Sequence, residues 1–546
     1  MLSGLAMISA GSRSTLAEVI ASRGWNVTTN ALQRHLDKAR IVERGMAVLC
    51  NILAGPKELA HQVLSQDTML QIYAVMAAHP RHVAVLEQSC YAILNAAAID
   101  ILCKVLLMEA RLAPELVLAI TAHPTAASLQ EAACSALANL AAGLDNNLDD
   151  PDTDEQSSEP MVAEREVPCS HDGLMGTASG AALPQHVEQL SSFFNDGRVS
   201  TSPSRSQPQR PHHSPQALHA VTSIRHALVE AGAAEAVVTV LQRFLQKFIY
   251  HPHSRTESSA VLIEAMAMLR NLADGGQLCR LAILNASGAE AILGAMAAQA
   301  TNYTLVHLGC LALRNLGSGP AVQLKLILAA GGVEGALSAL SVHSQLPAVV
   351  AAACAALRNF AVDSWQDAQL GVGPQGSTQP VGAAKAIMEA GGIGTALRAM
   401  VEHAGSASVQ IECCGILRNI ACGTMDDDTS RLEAIEALLS AGAVQASVTV
   451  PAPNCRTSTT TPSAALTVHG LCFTIQTPLH TTRWSVLRCK GILVLKVCRL
   501  KAAGCYAIWL RVPGLDRVLL LSLTPLVSLH TTRTMGLAVG VGGKRT

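Results

Sequence analysis

The segment AAACAALRNFAVD at residues 351–363 decides the fold, because the chain writes versions of it seven times. The other copies are GMAVLCNILAG from residue 45, QSCYAILNAAA from 88, EAACSALANLAAG from 131, EAMAMLRNLADGG from 264, LGCLALRNLGSG from 308 and IECCGILRNIACG from 411. Their asparagines are Asn51, Asn95, Asn139, Asn271, Asn315, Asn359 and Asn419, and the steps 95−51, 139−95, 315−271 and 359−315 are each 44. That period belongs to solenoids whose unit is two or three helices. Other residues keep the register. Cysteine stands five residues before the asparagine at Cys90, Cys134, Cys310, Cys354 and Cys414, and histidine sixteen before it at His79, His123, His343 and His403.

Within the segment, Val350, Cys354, Leu357 and Ala361 fall on one stripe by i, i+4, i+7 spacing, which predicts a helix with that face in the core. Asn359 is rotated about 200° from Leu357 at about 100° per residue, so it is expected on the exposed side with Ala352 and Ala355. A second, earlier signature, an AG or GG pair after an apolar helix, occurs in HALVEAGAAEAVV, LILAAGGVEGAL, AIMEAGGIGTAL and ALLSAGAVQASV. Glycine there predicts a sharp turn, since it takes a positive φ at little cost. Each unit therefore reads as a short helix, a glycine turn, a second helix, a loop near the histidine and a longer third helix ending at the asparagine.

Composition agrees. Of 546 residues, 50% are hydrophobic, 3% aromatic and 14% charged, so the core must be Ala, Leu, Val and Ile, which favour helix over sheet. A net charge of −1 sets up no global field for nucleic acid or anionic membrane, and no run of eighteen apolar residues predicts a membrane span. The sixteen cysteines look like a disulfide framework until five of them fall at one repeat position, where they read as packing residues of a reducing compartment. With no basic region ahead of an apolar run at the start, a cytoplasmic or nuclear location is expected.

These residues resemble the armadillo-repeat family, whose third helix carries an A-L-R-N-L-A pattern and whose preceding turn carries E-A-G-G. The spacing from the His-Pro pairs at 79 and 123 to Asn95 and Asn139 is most similar to the group of armadillo repeat-containing protein six and related protist and algal repeat proteins. The resemblance implies an all-α fold, a right-handed α-α superhelix of the armadillo/HEAT kind, running over 14–143 and 217–448 and ending in a truncated eighth unit. Two insertions interrupt it. Residues 144–216, acidic and then rich in Ser, Pro, Gln and His, cannot bury enough apolar surface to fold and are expected to be disordered; GVGPQGSTQP accounts for a second, near 364–385. Ser202 and Ser214, each followed by proline, are phosphorylation candidates or plain linker. Residues 449–546 lose the helical periodicity and duplicate a tetrapeptide at His480 to Arg483 and His530 to Arg533. They read either as translated intron or shifted frame, or as a further segment of another kind.

The resemblance also implies that the seven asparagines line a concave groove and hydrogen-bond the backbone of an extended peptide. The competing reading is that they satisfy helix ends and carbonyls of the adjacent repeat. One residue earlier stand Arg270, Arg314, Arg358 and Arg418, while eight residues earlier the first three repeats carry Glu43, Glu87 and Glu131. Seven residues separate the two positions, hence nearly one helix face, and the groove is expected to be acidic at its N-terminal end and basic at its C-terminal end. Alternatively each Arg pairs with the neighbouring repeat.

No catalytic site, metal or cofactor is expected. The recurring histidines stand one per repeat and read as loop or capping residues. Cys169, His171, His212 and His213 lack paired zinc spacing, and Cys413 and Cys414 are adjacent on one helix and do not converge. No phosphate loop, G-x-S-x-G elbow or H-E-x-x-H occurs. The expected function is a monomeric, non-enzymatic scaffold or adaptor for a protein or peptide partner, not nucleic acid. Seven layers at about 10 Å each make a wall of about 70 Å, room for about 20 extended residues. Two rivals are a nuclear-import adaptor of the importin-α type and the regulatory subunit of an enzyme complex. The import family pairs each groove asparagine with a tryptophan four residues earlier, where this chain has Ala47, Tyr91, Ser135, Ala267, Leu311, Ala355 and Gly415.

Overall fold

In a computed structural model of the chain, the described residues are 2–143, 215–362, 382–423, 436–438, 440–441 and, as backbone only, seven short strands between 465 and 540. The repeat region is helical throughout, an armadillo-type α-solenoid. Helix α1 (Leu2–Ser9) precedes seven units of three helices each. The units are α2 (Arg13–Ala21), α3 (Gly24–Arg34) and α4 (Ala39–Ala54); α5 (Lys57–Ala60), α6 (Gln66–Ala78) and α7 (Val83–Ile99); α8 (Ile101–Glu109), α9 (Leu112–Ala122) and α10 (Ala127–Ala141). After the first insertion follow α11 (Pro215–Glu230), α12 (Ala233–Tyr250) and α13 (Arg255–Ala273); α14 (Gln277–Asn285), α15 (Gly288–Ala298) and α16 (Tyr303–Leu316); α17 (Ala321–Ala329), α18 (Gly332–Val342) and α19 (Pro347–Phe360); α20 (Ala383–Glu389), α21 (Gly392–Glu402) and α22 (Ala407–Gly423).

One apolar cluster runs from Ala6 to Ile420 without a break, so no unit has a private core. A single unit could not bury its apolar face alone, and stacking supplies the missing wall. Val350, Cys354, Leu357 and Ala361 are all within it, on the stripe read from the spacing. Cys50, Cys90, Cys103, Cys134, Cys279, Cys310, Cys354, Cys413 and Cys414 are free thiols, most of them buried, and burial pushes the Cys310 thiol up to about 12. Cys354 and Cys413 meet Sγ to Sγ at 3.5 Å from neighbouring third helices.

The turn between first and second helices uses one left-handed residue in every unit but the second. Gly331 takes it at φ 89°, and Gly332 beside it is needed for a different reason: a Cβ there would lie 2.7 Å from Ile327 Cγ2 and 3.0 Å from the Ile327 carbonyl. The glycine of ALLSAGAVQASV lies outside the described residues. The same conformation is also held by Arg23, Arg111 and Ser287, at φ 61°, 58° and 62°, where no glycine announces it.

Two features lie beyond the repeat pattern. Helix α1 packs against α4 where the third helix of a preceding unit would be. At the first insertion, α10 and α13 are direct neighbours, and two buried cations close the end of α10: Lys104 Nζ donates to the Ala142 carbonyl at 2.7 Å and Arg225 Nε to the Ala141 carbonyl at 2.7 Å. Arg225 is itself paired with Asp274 at 2.8 Å. Burial, with Arg225 nearby, pushes Lys104 down to about 8.

Ser202, Ser214 and the remaining residues of 144–214 and 363–381 lie outside the described residues, as do the duplicated tetrapeptides. In the tail, Ala465–Thr467 pairs antiparallel with Cys472–Thr474, and Ser485–Arg488, Val494–Arg499, Tyr506–Arg511, Val518–Pro525 and Met535–Gly540 form an antiparallel meander in chain order. Among the described residues no single helix is long and apolar enough to cross a membrane; two bent pairs, α14 with α15 and α17 with α18, reach the length together but turn by 70° and 62°.

Candidate partner-binding groove

The third helices α4, α7, α10, α13, α16, α19 and α22 form the most closely packed of the three layers. One stripe of each carries the asparagine and the residues one, four and eight positions before it.

Each asparagine amide spans to the unit before it. Asn95 Nδ2 donates to the Cys50 carbonyl at 3.2 Å, Asn139 to Leu94 at 3.2 Å, Asn271 to Ala138 at 2.9 Å, Asn315 to Arg270 at 3.0 Å, Asn359 to Arg314 at 2.8 Å and Asn419 to Arg358 at 2.8 Å. The acceptor is always the residue just before the preceding asparagine. Asn51 obeys the same rule on α1, donating to the Ala6 carbonyl and to Ser9 Oγ, both at 3.0 Å. The bond from Asn271 to Ala138 steps over 133 residues and that from Asn419 over 61, so each insertion sits inside a single step of the ladder.

This corrects the expectation of an asparagine turned wholly to solvent: Asn271, Asn315 and Asn419 are buried in the seam and the other four are half-buried. Burial follows from what the amide does. Arg270, Arg314, Arg358 and Ala138 lie in the last turn of their helices, where carbonyls lack an intrahelical donor, and the next unit's amide supplies it. An amide has two N–H donors and two carbonyl lone pairs, so the contact holds each side chain in one orientation without exhausting it.

The arginines are placed differently from the expected open basic row. Arg270 Nη1, Arg314 Nε and Arg418 Nε donate to the Oδ1 of their own neighbouring asparagines at 2.8, 3.1 and 3.0 Å. Arg358 reaches Asn359 at 3.4 Å and forms an ion pair with Glu412 of the next unit at 2.7 Å. The basic end is thus partly neutralised within the wall, because Glu412 stands seven residues before Asn419, one short of the position occupied by Glu43, Glu87 and Glu131.

At the acidic end Glu43 is paired with Arg44 of its own helix at 3.8 Å. Glu43, Glu87 and Glu131 stand half-buried on α4, α7 and α10, and Glu264 on α13 continues the row. Burial raises the Glu87 carboxyl above its ordinary 4.5, against a hydrogen bond from Ser128 of the next unit, and Glu43 raises it further. Burial likewise raises Glu264, which accepts a bond from Ser135 of the preceding unit. Tyr91 lies between, its hydroxyl pushed up to about 12 by burial and by Glu87 and Glu131. Glu264 escapes the sequence pattern through the same one-residue offset as Glu412; Tyr91, Ser128 and Ser135 escape it because they do not repeat.

The histidines form a second ladder along the ends of the second helices. His79, His123, His343 and His403 place Nε2 at 2.6, 2.9, 2.7 and 2.7 Å from the carbonyls of Leu36, Pro80, Ala300 and Ser344 in the preceding unit. A carbonyl only accepts, so each Nε2 carries the proton and is committed to the neighbour. Asn and His thus clamp four of the steps at two points, while the steps into the fourth and fifth units, with Arg255 and Gln299 at the histidine position, carry the Asn bond alone of the two.

No family model matches the chain, and no curated protein matches it. Among solved structures it is similar to an engineered protein, with 22% identity, covering 82% of this chain and 89% of that one, at a TM-score of 0.45. It is also similar to a designed armadillo repeat protein in complex with the peptide (KR)4, with 20% identity, covering 49% and 91%, at 0.32. A computationally designed armadillo repeat protein for modular peptide recognition matches with 19% identity, covering 49% and 91%, at 0.31.

Proposed function

We propose that this chain is a non-enzymatic scaffold that binds an extended, cation-bearing segment of a protein partner along the wall of third helices, chiefly over α4, α7, α10 and α13. The observation that carries this reading is the row Glu43, Glu87, Glu131 and Glu264 with Tyr91 among them, half-buried on one wall whose backbone is fixed by the asparagine ladder. Carboxylates raised by desolvation gain from a cation that displaces water, and an aromatic ring adds apolar and cation–π contact. The amides of Asn51, Asn95, Asn139, Asn271, Asn315, Asn359 and Asn419 sit alongside, oriented to bond an extended backbone with what capacity the seam leaves them. The arginines act here as supports of the amides and not as a separate anionic subsite.

The chain would work as a monomer in the cytoplasm or nucleus, since the free thiols suit a reducing compartment and the balanced charge gives no pull on nucleic acid. A regulatory subunit would use the same wall. The import-adaptor reading is weaker, because Ala, Ser, Leu and Gly four residues before the asparagines offer no row of aromatic rings. The finer resemblance to the protein-six group rests on sequence spacing alone.

Screening the purified chain against unstructured peptides tests this. Basic peptides should bind, Glu87→Lys with Glu131→Lys should weaken them at least about tenfold, on the scale of like-charge juxtaposition, and Lys325→Glu on the outer helix α17 should leave them unchanged. Equal affinity in the doubly reversed chain would remove the proposal.

A further inference from the structure

At the junction of the second and third units, three potential metal ligands of different kinds converge. His61 follows α5, the first helix of the second unit; Asp100 and Cys103 open α8, the first helix of the third. The ligand atoms of the three lie within 4.8 Å of one another, and among the described residues no other group of three His, Cys, Asp or Glu does this. We propose that His61, Asp100 and Cys103 form a zinc site that clamps the second unit to the third.

Three observations support it. His61 Nε2 and Asp100 Oδ2 are 3.4 Å apart, long for a hydrogen bond but close to the edge of about 3.3 Å between nitrogen and oxygen in a zinc tetrahedron. The carboxylate is divided between two tasks. Oδ1 accepts the Cys103 backbone N–H at 2.8 Å as the cap of α8, which fixes the side chain and leaves Oδ2 directed at the histidine. Such outer bonds to a ligating carboxylate are what orient first ligands on a metal. Finally, imidazole, carboxylate and thiolate together form the mixed N, O, S set that zinc accepts, and His61 is half-exposed, which gives the ion a way in and leaves the fourth position to water.

Cysteine at this point of a first helix also serves plain packing: Cys279 on α14 holds the same place two units later, and no histidine joins it in a cluster of three ligands. What distinguishes the second junction is that His61 and Asp100 meet the thiol there and nowhere else in the repeat. On binding, Zn2+ replaces the thiol proton of Cys103, which leaves to solvent, so affinity should rise with pH. The clamp is independent of the groove and of whatever binds there.

The test uses the full chain, stripped with a chelator and titrated with Co2+, then with Zn2+ in competition. One Co2+ should bind with tetrahedral visible bands and a thiolate-to-cobalt charge-transfer band, and Zn2+ should displace it and raise the melting temperature. His61→Ala removes an exposed side chain, and Asp100→Asn keeps the cap while losing the ligand charge, so both should fold and each should bind at least about tenfold more weakly. Cys103→Ser should lose the charge-transfer band. Absence of cobalt binding, or wild-type binding in His61→Ala and Asp100→Asn, would overturn the proposal, the second outcome placing the metal on other residues.

Discussion

Asparagine at the end of each third helix is the residue on which both stacking and recognition turn, and the structure separates two versions of it. In the last four units the amide is the donor to a carbonyl of a helix's final turn, whereas Cys50 and Leu94 lie further from their helix ends, where an in-helix donor is available. Asn315→Ala should therefore cost about 1–3 kcal/mol, the penalty of stranding a buried acceptor, while Asn95→Ala should cost under about 1 kcal/mol, both read by denaturant unfolding. Lys104 offers a second residue-level test. Its pKa falls from 10.5 unfolded to about 8 folded, so between these values the unfolded chain binds more protons and stability rises with pH. Measured against Lys104→Met, the wild-type chain should gain on the order of 3 kcal/mol from pH 8 to pH 10.5, and a flat difference would mean that the ammonium is not desolvated.

The helices and their turns show how much a single sequence discloses. The third helix was legible because its apolar stripe, its cysteine and its asparagine recur, and the GG turns because glycine alone takes left-handed backbone freely. Arg111 and Ser287 adopt the same backbone with residue types that carry no such signal, and α1 was invisible because it occurs once. Arg111→Gly should stabilise the chain, and Gly331→Ala destabilise it, each by about 1 kcal/mol in unfolding experiments, since left-handed backbone penalises any Cβ by about that amount. The site was legible to the same degree. Glu43, Glu87 and Glu131 were found by their common offset, but Glu264 and Glu412 stand one residue away from it, and the pairing of Arg358 with Glu412 across units reverses the simple reading of a basic end. Interactions between residues that do not repeat, such as His61 with Asp100, leave no mark on the period at all.

At the scale of the whole molecule, seven units share one apolar interior and are clamped at every step by Asn on the third helices and at four of the six steps also by His at the ends of the second helices. Stability in such a stack is a sum of units and neighbouring interfaces, and the wall it presents is one continuous surface. The insertion at 144–214 does not interrupt that wall, because Asn271 bonds Ala138 across it and Lys104 and Arg225 close the end of α10. The central claim is that this wall holds an extended partner segment at its acidic end. The most direct measurement places a photo-crosslinking group on a selected basic peptide and maps the adducts on the full chain by mass spectrometry. The account predicts adducts on α7, α10 and α13, around Tyr91, Ser135 and Glu264, advancing by one helix as the group moves along the peptide; adducts confined to the first helices, to the insertion or to the tail would contradict it.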